Sequence, residues 1–592
     1  MFTAGERHAT PLYRREDLAC GFTAAGPALI VDPVSTTVVE PGWRVEVDAI
    51  GNLILRRAQP RTVDRVADTA LDPVRLEIMS GLFMAVSEEM GAALQHSASS
   101  VNIRERLDFS CALFDGEGSL IANAPHMPVH LGSMGESVRT VLARRGQGRD
   151  GRGLRPGDAY VLNAPYDGGT HLPDVTVVMP VFAEESDAEP AWFVAARGHH
   201  ADIGGIAPGS MPPGSRTLDE EGVLLDNVLL VDEGHLREAD LRARLSSGRW
   251  PSRNVDQNIA DLKAQIASCA RGASELRRIA AEQGRAVVDA YMGHVQDHAE
   301  AAVRALLDRL ADGRFAYAMD NGAQVSVSVA IDRAARHATI DFTGSSPQLG
   351  DNFNAPLPVV RAAVLYVVRT LIDDAVPMNE GCLRPLTVVV PEGSMLRPQA
   401  PAAVVAGNVE TSQVVTDALF GALGAMAGAQ GTMNNFTFGN ARLQYYETIA
   451  GGSGAGPDFD GTAVVQTHMT NSRLTDPEVL ETRFPVLLEE FSVRRGSGGA
   501  GHHRGGDGAV RRVRFLEAME AGILSNRRIV PPFGLHGGAD GQRGRNWIER
   551  ADGRVEALPA TASAMMEPGD VFVIETPGGG GYGAPDRERG TP

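Results

Sequence analysis

The sequence predicts an α+β fold of several subdomains, with large mixed or antiparallel sheets flanked by long helices. Two patterns carry that prediction. Apolar residues recur at spacings of three and four in long segments, as on one face of a helix, and elsewhere alternate with polar residues, as in half-buried strands. With 592 residues and 43% hydrophobic content, the chain is long enough for a sizeable core and for several folding units.

Residues 1–66 read as a small β-rich segment. Trp43–Val47 and Leu53–Leu55 alternate on either side of a turn at Ala49-Ile50-Gly51-Asn52. A hairpin of that size needs further packing to be stable. Residues 57–70 read as a polar linker, and 67–592 as the main region, divided into 67–250, a helical stretch at 251–315, and 316–592. Asp72-Pro73 supplies an N-cap and a proline at the first helical position. Leu76, Met79, Phe83, Val86, Met90 and Leu94 then predict a helix to about Ser97. FSCALFD and SLIAN predict a hairpin within 101–122. Strand–loop–strand follows at 156–182, and a further strand at 191–205 after the acidic turn EESDAEP. Residues 255–312 predict two helices, 318–343 strands, and 359–372 and 411–428 more helices. The glycine-rich strings at 495–508 and 577–583 read as turns between short strands.

Several function classes are excluded by simple counts. A net charge of −19 repels phosphate backbones and anionic membrane surfaces, so a nucleic-acid partner is not expected. The four cysteines are scattered without a CxxC pair, which excludes a cysteine zinc knuckle and a disulfide framework. No run of about 18 apolar residues occurs, and the opening MFTAGERHATPLYRRED lacks a signal-peptide core, so a cytoplasmic location is the expectation. The single lysine, Lys263, lies in a helical string, and no phosphate-binding Gly-Lys-Ser/Thr exists. ATP chemistry is therefore expected on another chain or domain.

Five of the fifteen histidines fall between residues 108 and 202, in loops that also hold aspartates. His171 and Asp174 have His-x-x-Asp spacing around a proline, and a bend there lets imidazole and carboxylate converge. His199 stands at a strand end in GHHADIGG. The short turn between the two strands makes them neighbours, which gives three ligands for a divalent ion, with Asp108 as a fourth. An open position would remain, as in a catalytic site. His200 and Asp202 read as orienting or proton-steering groups. Taken singly, His126 and His130 read as solvated or hydrogen-bonded loop residues, as do His502 and His503. GNVETSQ (407–413), with Asn408, Glu410 and Thr411, reads as a helix cap or a substrate contact. THMTNSR, with His468, Asn471 and Arg473, is open between a turn and a contact.

At these strings the chain resembles the hydantoinase B family, which includes the B half of 5-oxoprolinases and the acetone carboxylase α subunit. DPVRLEIMSGLFMAVSEEMG, NIRERLDFSCALFD, NAPYDGGTHLPDVTVVMPVF, RGHHADIGGIAPGSMPPGS, FTGSSPQLGDNFNAP, GNVETSQVV and PGGGGYG carry the resemblance over about residues 70–585. GPALIVDPVSTTVVEPGWRVEVDAIGNLILRR resembles the C-terminal tail of a hydantoinase A subunit. The resemblance implies a metal (zinc, manganese or iron) held by Asp108, His171, Asp174 and His199. It implies ATP and Mg bound by a hydantoinase A-like partner in a hetero-oligomer, and a small cyclic amide as substrate. The expected activity is ATP-dependent ring opening of 5-oxoproline, hydantoin or a related lactam. A carboxylase of the acetone carboxylase type and a non-catalytic scaffold are the alternatives.

Overall fold

The structure is a computed structural model that describes residues 1–3, 6–59, 69–374 and 376–585. Residues 60–68, most of the expected linker, lie outside the described residues. The chain divides into two compact units, Met1–Ala67 and Asp68–Pro592.

In the first unit, two three-stranded sheets surround a small core of Ala28, Ile30, Val39 and Val45. Trp43–Val47 pairs antiparallel with Leu53–Arg57, as the alternation predicts. Asp48 closes the turn by accepting hydrogen bonds from the backbone N–H of Ile50 and Asn52.

The second unit opens with α1 (Pro73–Ser97), whose Asp72 cap accepts the Arg75 N–H at 2.7 Å. Met79, Phe83, Val86, Met90 and Leu94 are buried along one face, the stripe expected from their spacing. Next comes an all-antiparallel seven-stranded sheet: β1 (Phe109–Asp115), β2 (Leu120–Asn123), β3 (Ala159–Leu162), β4 (Asp174–Val181), β5 (Trp192–His199), β6 (Val228–Asp232) and β7 (His235–Leu236). Its order is β2-β1-β5-β4-β3-β6-β7. Both faces are covered. Trp192, Val194 and Ala196 of β5 pack in one core with α1 and with α3 (Val255–Gln283). Phe193 and Ala195, pointing the other way, pack in a second core with Met134, Val138 and Val141 of α2 (Pro128–Arg145). This double burial explains why β5 reads as a nearly continuous apolar run.

α4 (Arg285–Leu307) follows α3 after a single break at Gly284, whose φ of 94° suits a residue without a side chain. A four-stranded mixed sheet (Gly313–Ala318, Gln324–Asp332, His337–Asp341, Leu386–Val389) and α5 (Leu357–Thr370) come next. The helix expected at 411–428 is α6 (Ser412–Leu423), ended by Gly424 in the left-handed conformation. It is preceded by a π-helical turn, Gly407–Thr411, rather than by a simple cap. Four- and five-stranded antiparallel sheets complete the unit.

The glycine-rich string at 495–508 connects two paired antiparallel strands, Val486–Arg494 and Gly508–Phe515, whereas the one at 577–583 follows the last strand and is not a turn between strands. The segment 577–583 runs through a bundle of other backbone segments. Gly579 N–H donates to Gly506, Gly580 N–H to Gly428, and Gly581 N–H to Ala539. A Cβ built on Gly579 would lie 1.9 Å from the Ser453 carbonyl oxygen, and one on Gly580 1.9 Å from that of Phe533. Backbone packs directly on backbone here, and only glycine allows it.

The strap from 211 to 225 is held by Glu221, fully buried, which accepts the backbone N–H groups of Val404 and Val405 and the Ser215 hydroxyl. Burial pushes its carboxyl up to about 8, against the Val405 and Val404 N–H groups that pull it down. A folded pKa above the unfolded one gives stability that is complete below about 4.5 and is lost as pH rises through about 8. Thermal melts between pH 5 and 9 should therefore show this loss, up to about 1.4 kcal/mol per pH unit. Glu221→Gln should flatten it; an unchanged slope would show that the carboxyl is ionised in the fold.

Candidate metal centre

His199 is the last residue of β5 and Asp174 the first of β4, and the two are direct cross-strand partners. Antiparallel pairing thus delivers one imidazole and one carboxylate to the same end of the sheet. His171 lies three residues before Asp174, in the bend made by Leu172-Pro173, where the Asp174 N–H closes on the His171 carbonyl at 3.1 Å. Ligand atoms of His171, Asp174 and His199 all lie within 4.8 Å of one another, and all three residues are buried. The structure brings together the three residues expected from spacing.

The nitrogen atoms of this group suit a metal. His199 Nδ1–H donates to the His200 carbonyl at 3.1 Å, which leaves Nε2 as the bare lone pair. That Nε2 is buried and has no hydrogen-bond partner. Neither ring nitrogen of His171 has one, although Nε2 stands 3.1 Å from Asp174 Oδ2, outside hydrogen-bond geometry. Buried polar atoms are nearly always satisfied, so three orphans around one carboxylate mark a site for something else. Burial, and then the neighbouring His171, hold the His199 imidazole well below its usual range, in the neutral form that ligates metals.

Asp174 is the centre of the arrangement. Oδ1 accepts from His130 Nε2 at 3.0 Å, and Oδ2 accepts from Thr170 Oγ1 at 2.8 Å and Asn408 Nδ2 at 3.1 Å. Burial pushes its carboxyl up, but His130 and His171 outweigh this and hold it well below the usual carboxylate range. It is an anion fixed in orientation from three directions.

Asp108 stands beside the group without joining it. Its backbone carbonyl accepts the His199 N–H at 3.0 Å, while its side chain faces Arg106 at 3.6 Å. Burial raises its carboxyl, against the pull of Arg106. Expected as a fourth ligand, the Asp108 carboxylate follows the turn at Leu107, with φ of 55°, and lies outside the group of three, beside the buried Arg106 guanidinium. His200 and Asp202, expected as orienting or proton-steering groups, are both held by hydrogen bonds to neighbouring segments. His200 Nδ1 accepts from Asn258 and Nε2–H donates to Gln265, both on α3. Asp202 is held by Arg253 at 2.8 Å and by the N–H groups of Gly204, Gly209 and Arg253. Their bonds tie the loop after β5 to its surroundings, so they position His199.

Further residues complete the surroundings. His130 is in the first turn of α2 rather than in a loop, and His126 is half-buried, its Nδ1 accepting the Cys111 N–H. Asn102 Nδ2 lies 3.2 Å from His199 Nδ1. Tyr446 stacks on His199 with ring centroids 4.6 Å apart, and the Arg106 guanidinium lies over the same tyrosine ring. The Tyr446 hydroxyl donates to Asn435, whose amide donates to Glu410, all buried. Asn408 and Glu410 belong to the π-helical turn, a distortion common at functional sites. His468 pairs with Asp417 at 2.9 Å, in a separate buried pair. Asn408→Ala removes one donor to Asp174 and should lower metal affinity about 10- to 100-fold, as measured by metal titration, with the fold retained.

Residues 72–585 match the hydantoinase B/oxoprolinase family. The chain is 43% identical to 5-oxoprolinase 1 of Arabidopsis thaliana over 99% of its own length, and spans 47% of that protein. Two solved structures share the fold. The ATP-dependent caprolactamase of Pseudomonas jessenii has a TM-score of 0.77 and 25% identity, with 87% of this chain and 92% of that one covered. An acetone carboxylase has a TM-score of 0.77 and 18% identity, with 89% and 77% covered. With the metal-centre strands, the long helices and the glycine bundle all inside the matched region, the chain belongs to the hydantoinase B/oxoprolinase family.

Proposed function

We propose that this chain is the metal-dependent, ring-opening part of an ATP-dependent cyclic-amide hydrolase acting on 5-oxoproline, hydantoin or a related lactam. The observation that carries this reading is the buried His171–Asp174–His199 group with its unpartnered imidazole nitrogens. The names of its relatives support it: a 5-oxoprolinase and an ATP-dependent caprolactamase both act on cyclic amides. The chain spans about half the length of that 5-oxoprolinase. The ATP-handling part is therefore a hydantoinase A-like region, either fused to this one or on a partner subunit.

His171, Asp174 and His199 would hold a divalent zinc, manganese or iron ion. When bound, such an ion polarises a carbonyl oxygen and makes a bound water acidic enough to ionise near neutrality. The chain's own groups do the rest. Asp174 stays anionic, and His130, Thr170 and Asn408 fix its direction. Tyr446, stacked on the ring, and the His200 carbonyl, which accepts from Nδ1–H, hold the plane of His199. The buried and unpartnered Asn408 Oδ1 offers an acceptor for a ring N–H.

The test is product formation from 5-oxoproline, hydantoin and caprolactam in the presence of ATP and the hydantoinase A-like part, before and after chelation. Ring-opened product and phosphate should appear together, vanish on metal removal and return with added metal. Full turnover by verified metal-free protein would refute the reading. Consumption of acetone and bicarbonate instead of lactam would replace it with a carboxylase.

A further inference from the structure

Although the chain is acidic overall, one cleft of the Asp68–Pro592 unit is strongly basic. Arg494, Arg528, Arg543, Arg545 and Gln542 line a cavity of about 550 Å³. A single carboxylate within ion-pair reach, Glu575, serves both Arg494 at 3.1 Å and Arg545 at 2.7 Å. Among the described residues Arg528 and Arg543 have no ion pair. Arg543 donates from Nη1 to the Ile529 carbonyl. Arg528 spends its Nη groups on Asn434, Asn526 and Asn546, and its Nε–H is buried without a partner.

Four guanidiniums thus meet at one cleft with a single carboxylate in direct ion-pair contact. Burial lowers the Arg528 guanidinium to about 10, against the pull of Glu410 and Asp320, with Arg494 adding a smaller repulsion. Burial lowers Arg494 too, against the pull of Glu575, with Arg545 adding repulsion. The backbone is fitted to the cluster: a Cβ on Gly544 would lie 2.9 Å from both Nε and Cζ of Arg528. A multivalent anion with several acceptor oxygens would relieve the repulsion and satisfy Nε–H, and guanidinium forks match phosphate in geometry as well as charge.

We propose that this cleft binds phosphate-bearing anions, with Arg543 and Arg545 at its exposed side and Arg528 Nε–H at its buried side as donors. The site lies outside the metal centre and does not depend on the cyclic-amide reading. The same chemistry is offered by free inorganic phosphate and by a nucleoside diphosphate, and the experiment separates them.

Calorimetric titrations of the full chain would be run in EDTA, at ionic strength held constant with chloride, using inorganic phosphate and ADP as probes. Both should bind; tighter binding of ADP would identify a nucleotide as the source, and equal binding free phosphate. Arg543→Gln with Arg545→Gln changes two exposed side chains and should weaken both by about tenfold or more. Absence of binding by either probe would overturn the proposal, as would equal affinity in the double variant. So would binding of a poly-glutamate peptide that phosphate fails to displace, which would make the cleft a docking site for an acidic chain.

Discussion

His171→Ala should yield a folded protein that holds no metal and has lost activity. The loss expected from removing a catalytic metal is several kcal/mol of transition-state stabilisation, or about 10³-fold in rate. The fold should survive because neither ring nitrogen of His171 makes a hydrogen bond, so truncation orphans no buried partner. Asp174→Ala should behave otherwise. It leaves the donors of His130, Thr170 and Asn408 facing an empty space in a fully buried setting, and a cost of about 3–5 kcal/mol is expected from breaking such a set. Metal analysis by mass spectrometry, beside thermal melts and turnover, separates the two. If His171→Ala retained a full complement of metal, the ligand set would be wrong. If it lost metal but kept full activity in the assembled enzyme, this chain would be a scaffold.

The difference between these two variants also shows which parts of the site were legible in the sequence. His171, Asp174 and His199 lie within 29 consecutive residues, on strands joined by a short turn. Adjacent antiparallel strands with short connections can be read from alternation and turn residues, and the cross-strand match of Asp174 with His199 follows from that pairing. His130 was ambiguous because its role depends on how α2 is rotated against the sheet, and helix periodicity fixes the buried face without fixing which atom it meets. Asn408, Tyr446 and Glu410 come from more than 200 residues away. No local pattern encodes contacts of that kind. For Asp108 the position beside the strand was legible, but the buried Arg106 that faces its side chain is visible only in three dimensions. Long elements followed the same rule. α1 matched its stripe and cap, whereas α6 stopped short of the expected 428 because Gly424 adopts the left-handed conformation that ends helices.

Glycine was the residue whose meaning changed most between sequence and structure, and it supplies the second large effect. In a turn, glycine serves for its positive φ, and alanine there costs about 1 kcal/mol. In the bundle around 577–583 the constraint is distance. The methyl of Gly579→Ala would meet the Ser453 carbonyl at 1.9 Å, and the space cannot open without moving the segments that contain Gly506 and Gly428, to which Gly579 and Gly580 are hydrogen-bonded. A loss of more than about 3 kcal/mol is expected, enough to lower the melting temperature sharply or to prevent soluble expression. Gly293→Ala is the control: it lies inside α4 with nothing within 4 Å of the added Cβ, and should stabilise by about 0.5–1 kcal/mol. If the two alanine variants melted alike, the close backbone packing would be absent in solution. The cores that surround the bundle can absorb a methyl by rotating side chains, but a lattice of main-chain atoms has no such freedom, so the expected loss follows from the glycine positions alone.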